Sequence, residues 1–369
     1  MERKRYYFMD NIRWVVVLLV LLYHVFYNYN GLGVFGAIAN KETTQWQDII
    51  CTLLNPWFMP ILFVVAGASS RYALRYHTTT EFRIERRRKL LIPSTIGIAV
   101  FGWILGMINT MNSGITLPEG TPGWVMYLIY LPSGTAHLWF IQDLFAFSLL
   151  LLLVRKALDV DRVDRWLSSL PKYGVMLVLI VVFALLYITS WTQVDNPSAA
   201  MGLLNLYRPI FYFTTFLMGY YIFSSEAIHD YLASKAKILI VIALMSATAF
   251  GTKYYGVDYT LPDVLQSPLC ALFCWAGILA MFGGFKRWAD RSTPFTSYMA
   301  RSSFGLYIVH MTICSATCIL LKASDLPTWS IYLITIATTF SGSFLLWEIL
   351  RRIPFVRWCV FGIKARKQR

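Results

Sequence analysis

An arginine and a histidine within one apolar stretch are the first residues of this sequence that could do chemistry. Residues 10–24 read DNIRWVVVLLVLLYH, with Arg13 near the start and His24 at the end. An ionised arginine inside a bilayer costs about 2.5–3.5 kcal/mol on the mildest insertion scale, so such a residue marks a functional site by default. The spacing is close to three helical turns, which places both side chains on one stripe, with His24 ~16 Å beyond Arg13. The alternative is a snorkelling arginine and a histidine that is satisfied by a helix contact.

Other ionisable side chains also fall in apolar runs. His137 and Asp143 belong to HLWFIQD, and His310 ends SSFGLYIVH. One such histidine is usually structural, but three of the chain's five, with an acid and two arginines, indicate a polar cavity through a helix bundle. Arg208, in LNLYRPIF, is either an interfacial arginine that snorkels to headgroups or a substrate contact.

The elements that must position these residues are membrane helices. Of the 369 residues, 57% are hydrophobic and 14% are charged, whereas a soluble domain carries roughly a quarter charged residues. Apolar runs long enough to cross a ~30 Å hydrocarbon core recur along the chain. They predict a polytopic all-α bundle in a single domain, 1–369, with ten helices at 11–30, 49–70, 91–111, 138–154, 173–191, 205–224, 237–252, 266–283, 303–321 and 330–350.

The distribution of basic residues predicts the orientation of these helices. Of the 33 lysines and arginines, 28 lie at the N-terminus or in alternate junctions, which are 71–90, 155–172, 225–237, 284–302 and 351–369. The positive-inside rule then places both termini in the cytoplasm. This topology also accounts for the net charge of +14, so we expect membrane lipids rather than nucleic acid as partners. The first apolar run is too long for a signal peptide, and we expect it to remain as helix one.

A dense cationic cluster stands in the second cytoplasmic junction, EFRIERRRKLLIP, with Arg86, Arg87, Arg88 and Lys89. It could serve only as a topology signal or attract anionic lipids. Guanidinium groups also suit bidentate phosphate binding. An anionic substrate bound there would lie beside the cytoplasmic end of helix one.

Metal chemistry and a disulfide framework are not expected. The i,i+4 pairs Cys270/Cys274 and Cys314/Cys318 could hold a soft metal, but apolar cysteines packed between helices are far commoner. We therefore predict no metal and no permanently bound cofactor. The external junction 112–137 contains several prolines and glycines, and it could dip back as a short lid over a cavity.

In these motifs and their order the chain resembles the integral-membrane acyltransferase family 3, which O-acylates cell-surface glycans and includes osmoregulated glucan succinyltransferases. The resemblance spans nearly the whole chain. Its motifs are D-x-x-R-x10-H at Asp10, Arg13 and His24; M-P-x-x-F-x-x-x-G at Met59, Pro60, Phe63 and Gly67; a basic motif from Arg86 to Pro93; H-L-W-F at His137 to Phe140; and S-x-G-x-Y-x-x-H at Ser303, Gly305, Tyr307 and His310. Lys89 departs from the pattern, because the family usually has an arginine there.

The resemblance implies an acyl-CoA donor that binds from the cytoplasm and a carbohydrate acceptor that enters from the other side of a bacterial cell (plasma or inner) membrane. The donor phosphates would contact Arg13 and the cluster Arg86, Arg87, Arg88 and Lys89. His24 would then be a general base or a transiently acylated nucleophile, since neutral imidazole accepts a proton near pH 7.

Further roles follow from the same resemblance. Asp143 or His137 would orient His24 or stabilise charge, although each could equally be a helix-to-helix hydrogen bond. Arg208, Trp139 and His310 are candidate substrate contacts, Arg208 for an acceptor or an anionic acyl group such as succinyl, and a structural role is the alternative for His310. The acyl group, acetyl or succinyl, and the acceptor glycan stay open, as does a homodimer. A secondary transporter or a lipid or glycan flippase is the alternative function, but we see no inverted repeat of the kind that transporters show.

Overall fold

The computed structural model describes residues 5–34, 36–39, 44–112, 117–193 and 207–363. Within these ranges the backbone is helical with connecting turns, and it contains no strand. Parts of several predicted features lie outside the described residues: Arg3 and Lys4 of the first basic cluster, Lys41, the start of segment 205–224, and the basic tail from 364.

The long helices follow the order of the predicted membrane segments, with shorter helices between them. Their bounds are α1 Tyr7–Asn28, α2 Ile49–Leu54, α3 Phe58–Tyr76, α4 Thr79–Arg86, α5 Trp103–Asn112, α6 Gly123–Ser133, α7 Trp139–Ala157, α8 Val160–Ser169, α9 Lys172–Ser190, α10 Pro209–Tyr221, α11 Glu226–Lys253, α12 Pro262–Leu265, α13 Pro268–Trp288, α14 Pro294–Lys322, α15 Thr328–Leu350 and α16 Pro354–Cys359. Single 3-10 turns at Trp46–Asp48 and Ala136–Leu138 precede α2 and α7, and π-helical stretches at Arg87–Leu91 and Pro93–Gly102 connect α4 to α5.

Among the described residues, nine helical segments are long and apolar enough to cross a membrane. This confirms the all-α, polytopic membrane fold that the apolar runs predict. The segments are Tyr7–Asn28, Trp46–Tyr76, Thr79–Met111, Ala136–Ala157, Lys172–Ser190, Glu226–Lys253, Pro268–Trp288, Pro294–Lys322 and Thr328–Leu350.

The sixth predicted segment, 205–224, forms a shorter helix than expected. Its helix α10 has 13 residues, or about 20 Å of rise. Pro209 stands at the first turn of α10, where the fixed φ of proline starts a helix but cannot extend one from the preceding residues. The other end stops before Ser225, whose extended backbone (φ −84°, ψ 133°) precedes α11. Both boundaries therefore move inward from the predicted ones.

One face of the bundle gathers the junctions that are predicted to be cytoplasmic. Arg71 of α3, with 1% of its side chain exposed, forms ion pairs with Asp161 (3.1 Å) and Asp164 (3.0 Å) of α8. Tyr6 precedes α1 and donates a hydrogen bond of 2.6 Å to Glu226 at the start of α11. The N-terminus and three of the basic junctions thus meet at one end of the bundle, as their shared charge predicts.

The opposite face joins the junctions that are predicted to be external. Gln45 Nε2 donates to the Tyr332 hydroxyl at 3.1 Å, and Lys322 Nζ donates to the Ile38 carbonyl at 3.2 Å. These bonds connect the α1 to α2 junction with the ends of α14 and α15. The assignment of this face to the outside remains a prediction of the positive-inside rule.

The chain between α5 and α7 folds back toward the basic face. In α6, the Tyr127 hydroxyl donates to the Ala99 carbonyl at 2.5 Å. A Cβ on Gly106 would overlap the Tyr130 carbonyl, so α5 and α6 are in backbone contact. The described part of junction 112–137 therefore does dip back, as a short helix packed along α5.

Backbone contact also joins α3 to α10. A Cβ on Gly67 would overlap the carbonyl oxygen of Phe216, and one on Gly219 would overlap that of Val64. Small residues permit this approach, which is the main source of helix association in lipid, because no hydrophobic force acts between membrane helices. The glycine of the M-P-x-x-F-x-x-x-G motif thus has a packing role.

We expect Gly67→Ala to destabilise the protein by about 1–3 kcal/mol, the usual cost of overpacking, because the new Cβ meets backbone atoms that cannot rotate away. Thermal unfolding and the monodisperse fraction of purified protein in detergent measure the effect. Gly284→Ala in α13 is the matched control, since its Cβ would meet its nearest neighbour, the Trp288 ring, at 3.6 Å. Equal melting temperatures for the two variants would contradict the packing role.

Candidate active site

Helix α1 carries both Arg13 and His24. It runs without a break from Tyr7 to Asn28 and packs against α3, α13, α14 and α15. Arg13 and His24 are both half-buried, and their separation along the helix is ~16 Å by the rise per residue. Asp10 lies in the first turn of α1 and forms an ion pair with Arg13 at 3.1 Å. The N-terminus of a helix carries partial positive charge, which stabilises an acidic residue at this position. The predicted single stripe is therefore present.

Three histidines from different elements meet beside α1. His24 comes from α1, His310 from α14, and His137 from the 3-10 turn before α7. The ring centroids are 5.0 Å apart for His24 and His310, 4.8 Å for His137 and His310, and 6.2 Å for His24 and His137. His137 and His310 are buried, whereas His24 is half-buried and is the most accessible of the three.

Hydrogen bonds define the proton positions in the pair His24 and His310. The Nδ1 atom of His310 lies 2.7 Å from the Tyr307 carbonyl, and that of His24 lies 2.9 Å from the Val20 carbonyl. A carbonyl only accepts, so each Nδ1 carries the hydrogen. The Nε2 of His310 lies 3.1 Å from the Nδ1 of His24 and accepts a share of its hydrogen. This arrangement leaves the Nε2 lone pair of His24 available.

The geometry of the pair suits proton transfer at His24. Its Nε2 receives no hydrogen bond from the described residues, so it can accept a proton from a substrate hydroxyl. The imidazolium that forms would keep its Nδ1–H bonds to Val20 and to the neutral His310. His310 therefore lies where it can position the His24 ring, a contact that the sequence did not predict.

His137 makes the helix-to-helix hydrogen bond that is one of the two roles predicted for it. Its Nε2 bonds to the Ile308 carbonyl at 3.1 Å, and its own carbonyl accepts a hydrogen bond from the Tyr307 hydroxyl. The preceding residue, Ala136, has a φ of +32°, so the turn that presents His137 is strained. His137 joins α7 to α14 and makes no hydrogen bond to His24, because both groups that it contacts belong to α14.

Asp143 and Trp139 lie further along α7. Asp143 is 2% exposed and makes no hydrogen bond to His24, whose partners are Val20 and His310. Asp143, about one turn into α7, is therefore not a hydrogen-bond partner of His24. The Trp139 ring belongs to an aromatic group on this side of the bundle and lies 5.3 Å from Tyr212 of α10.

Two arginines meet on neighbouring serines of α3 at the other end of α1. Arg13 donates to the Ser69 hydroxyl at 3.2 Å, and Arg86 Nη2 lies 3.5 Å from the Ser70 hydroxyl. The Arg86 guanidinium also stacks over the Phe82 ring at 4.6 Å, which holds it in place. This arrangement brings the predicted Arg13 and the predicted cluster together.

The rest of the cluster is less concentrated than predicted. Lys89 pairs with Glu85 at 2.6 Å, and Arg87 is exposed. Arg88 is half-buried, and its Nε is buried without a hydrogen-bond acceptor among the described residues. Four consecutive helical positions point in different directions, so Arg86 alone reaches Ser70.

The serines and several aromatic rings around the site were not singled out from the sequence. Ser69 and Ser70 follow the Gly67 motif, and two adjacent small hydroxyls near a helix end are the only available signal. The Tyr212 ring, 5.0 Å from Phe63, belongs to the same aromatic group as Trp139. Aromatic residues are common in apolar helices, so sequence alone does not distinguish Tyr212.

The predicted Arg208 lies outside the histidine cluster, immediately before α10. It is 5% exposed, and its guanidinium lies over the Phe211 ring at 3.9 Å. The described residues contain no group of three or more His, Cys, Asp or Glu arranged to hold a metal ion. The six cysteines are buried and unbridged.

A small cavity adjoins the histidine cluster. Its volume is about 40 Å³, and its lining includes His137, Gly134, Gly97 and Val360. A larger groove of about 460 Å³ lies between α9, α11 and α13, but its lining is almost wholly apolar and contains no residue of the histidine cluster. Of these two cavities, only the smaller one is lined by a member of the histidine cluster, and that member is His137 rather than His24 or His310.

Comparison with known proteins agrees with this geometry. A family model described as an acyltransferase domain matches residues 6–348. Glucans biosynthesis protein C of Escherichia coli strain K12 is 20% identical over 373 aligned residues, covering 97% of this chain and 95% of the relative. The proteins of that name from strains SE11 and HS (O9:H4) show the same identity and coverage.

No solved structure matches the chain significantly. The family match nevertheless covers α1 to α15, including Arg13, Arg86 and all three clustered histidines. The relatives also align along nearly their whole length. The chain therefore belongs to the integral-membrane acyltransferase family 3, and it is a membrane O-acyltransferase.

Proposed function

We propose that the protein transfers an acyl group, acetyl or succinyl, from cytoplasmic acyl-CoA to a hydroxyl of a carbohydrate on the outer side of a bacterial cell membrane. The observation that carries the proposal is the arrangement along α1. Arg13 and Arg86 stand together at one end, and the His24 and His310 pair stands ~16 Å further along the same helix. One end suits an anion, and the other suits proton transfer.

The arginine end fits the phosphates of coenzyme A. Arg13 and Arg86 present two guanidinium groups on adjacent serines, and planar guanidinium groups bind phosphate oxygens in a bidentate manner. Their shared face is the one that gathers the basic junctions, which the positive-inside rule assigns to the cytoplasm. Acyl-CoA is available in that compartment, and its pantetheine arm is long enough to carry the thioester toward His24.

The histidine end fits acyl transfer to a hydroxyl. His24 Nε2 removes the proton of the sugar hydroxyl as the oxygen attacks the thioester carbonyl carbon. The carbon–sulfur bond then breaks, and the leaving thiolate takes the proton from His24, which restores the neutral imidazole. His310 holds the His24 ring and stabilises the imidazolium through the 3.1 Å contact. Transient acylation of the same Nε2 is the other mechanism that this geometry accommodates.

The acceptor follows from chemistry and from the relatives. The half-buried Tyr27 ring lies 6.1 Å from His24, and Trp139, two residues after His137 in the sequence, is a second half-buried aromatic side chain. Aromatic faces suit the apolar faces of sugar rings. The relatives' name refers to the biosynthesis of glucans, so a glucan or a related envelope carbohydrate is the acceptor that we propose.

The transport alternative lacks an equivalent observation. A transporter or flippase would also explain intramembrane histidines and arginines. It would not explain membership of an acyltransferase family over residues 6–348. The pairing of two phosphate-suited arginines with a histidine base along one helix likewise favours an enzyme.

We expect His24→Ala to lower acyl transfer by about 10²–10⁴-fold, the usual worth of a positioned base. Donor binding should survive, because the arginines lie ~16 Å away. Release of free thiol from acetyl-CoA or succinyl-CoA, in the presence of envelope glucan, measures the rate. His77→Ala is the control, since His77 is half-buried just after the basic end of α3 and lies outside the histidine cluster. Near wild-type transfer by a folded His24→Ala protein would rule out the base.

His310 allows a test of positioning rather than direct chemistry. His310→Leu removes the acceptor for the His24 Nδ1 hydrogen, so kcat should fall about 10-fold or more, while the KM for the donor stays within about twofold. His310→Gln should restore part of kcat, because an amide oxygen can accept that hydrogen. Equal kcat values for the Leu and Gln variants would indicate that His310 only fills space.

The proposed donor site includes Arg86, which reaches Ser70, but not the exposed Arg87 beside it. Arg86→Gln should raise the KM for acyl-CoA about tenfold, the worth of one charge-assisted hydrogen bond, and added salt should narrow the difference. Arg87→Gln is the matched control, because Arg87 is exposed and adjacent in sequence. Steady-state kinetics at two ionic strengths provide the measurement. The same KM for both variants would reduce the cluster to a topology signal.

A further inference from the structure

Arg208 is a buried cation that neither the donor site nor the histidine cluster uses. It is 5% exposed, and its Nε is buried without a hydrogen-bond acceptor among the residues that the structure describes. The ion pairs found within the described part of the chain do not include Arg208. A buried charge is costly unless a counter-charge compensates it. No carboxylate among these residues therefore lies within ion-pair distance of Arg208, while Asp143 and Arg208 both act electrostatically on Tyr212.

Its surroundings hold Arg208 in place. The guanidinium carbon lies 3.9 Å from the centroid of the Phe211 ring. The preceding Tyr207 donates to the Thr260 carbonyl and accepts a 2.6 Å hydrogen bond from Gln193. A snorkelling arginine extends its guanidinium into the headgroup region, whereas this one lies against an aromatic ring inside the protein. The interfacial interpretation from the sequence therefore does not fit.

The local electrostatics also favour an anion. Arg208 is the residue before the first turn of α10, and the start of a helix carries partial positive charge and backbone N–H groups without intrahelical acceptors. A planar guanidinium matches the two oxygens of a carboxylate. One cation in a nearly dry site balances a single negative charge, which a carboxylate carries.

The position of Arg208 links it to the active site. Tyr212, one turn into α10, lies 6.0 Å from the Arg208 guanidinium and 5.3 Å from the ring of Trp139. Trp139 is two residues from His137, which belongs to the histidine cluster. Arg208 and the histidines thus stand on two sides of one aromatic group. The bond from Tyr207 to Thr260 also places Arg208 at the face opposite the donor arginines.

We propose that Arg208 binds a carboxylate of the substrate while the reacting end of that substrate lies at His24. The carboxylate belongs either to the acyl group, as in a dicarboxylic monoacyl chain, or to an acidic sugar of the acceptor. The inference rests on the proposed function for the position of the reacting end. Carboxylate binding itself is measurable without turnover.

The first experiment measures binding by thermal unfolding of the purified full-length protein. Monomethyl succinate represents the acyl group and is paired with neutral dimethyl succinate. Glucuronate represents the acceptor and is paired with glucose, at constant ionic strength. At least one carboxylate should raise the melting temperature saturably above its neutral partner, and Arg208→Gln should remove that shift. The carboxylate that acts identifies the source.

The controls make each result decisive. Lys253→Gln removes an exposed lysine that also stands over an aromatic ring, Tyr254 at 5.2 Å, and it should keep the shift. Arg208→Lys keeps the positive charge but loses the planar guanidinium, so it should weaken the shift in melting temperature. This variant replaces Arg208→Gln in the test if Arg208→Gln does not fold. No shift by either carboxylate in the wild type, or an undiminished shift in the Arg208 variants, overturns the proposal.

The second experiment measures selectivity in catalysis. Wild type and Arg208→Gln are compared with acetyl-CoA and succinyl-CoA, each with a neutral glucan and with a glycan that contains uronic acid. The variant should lose at least about tenfold in kcat/KM for the carboxylate-bearing substrate alone. Equal losses for all substrates indicate a structural role and overturn the proposal. If the wild type transfers nothing, the proposed function fails, while the binding result still decides the role of Arg208.

Discussion

The hydrogen bond between His24 and His310 is the interaction on which the rest of the site depends. It joins α1 to α14 within the bundle, where each polar group must find its partner in the protein because lipid offers none. The carbonyls of Val20 and Tyr307 accept hydrogen bonds from Nδ1 of His24 and Nδ1 of His310. In the contact between the two rings, His24 Nδ1 is therefore the donor and His310 Nε2 the acceptor. That direction leaves a basic nitrogen on His24, and the proposed chemistry follows from it.

Helix α1 sets the distance between two different environments. Its Arg13 end contacts Ser69 of α3, and its His24 end contacts α14. Helix α3 must therefore lie in a definite register, and the backbone contact of Gly67 with α10 holds it there. Helix α10, which Gly67 contacts, begins immediately after Arg208. Gly67 has no reactive group, but its backbone contact packs the helix of the donor serines against the helix that follows Arg208.

Several features followed from the sequence because they depend on local periodicity or on charge. The helical period of 3.6 residues per turn is enough to place Arg13 and His24 on one stripe. The length of the apolar runs, compared with the thickness of a membrane, is enough to predict long helices. The family resemblance rested on motifs in order and was confirmed. The partner of His24 was not predictable in this way, since His137, Asp143 and His310 all lie far away in sequence, and the family resemblance assigns the role to Asp143 or His137 instead of His310. The short α10 differed because a proline, not hydropathy, sets where it starts.

By itself, the sequence determined the helical membrane fold, the shared face of Arg13 and His24, the basic junctions and the family. Each of these depends only on the composition of the chain or on the spacing of residues along it. Only the tertiary structure decided that His310 contacts His24, that Arg86 alone among its neighbours meets Arg13 through Ser69 and Ser70, and that Arg208 is buried rather than interfacial. These depend on how helices distant in sequence rotate against one another. Such rotations are set by backbone contacts between small residues, which hydropathy does not record.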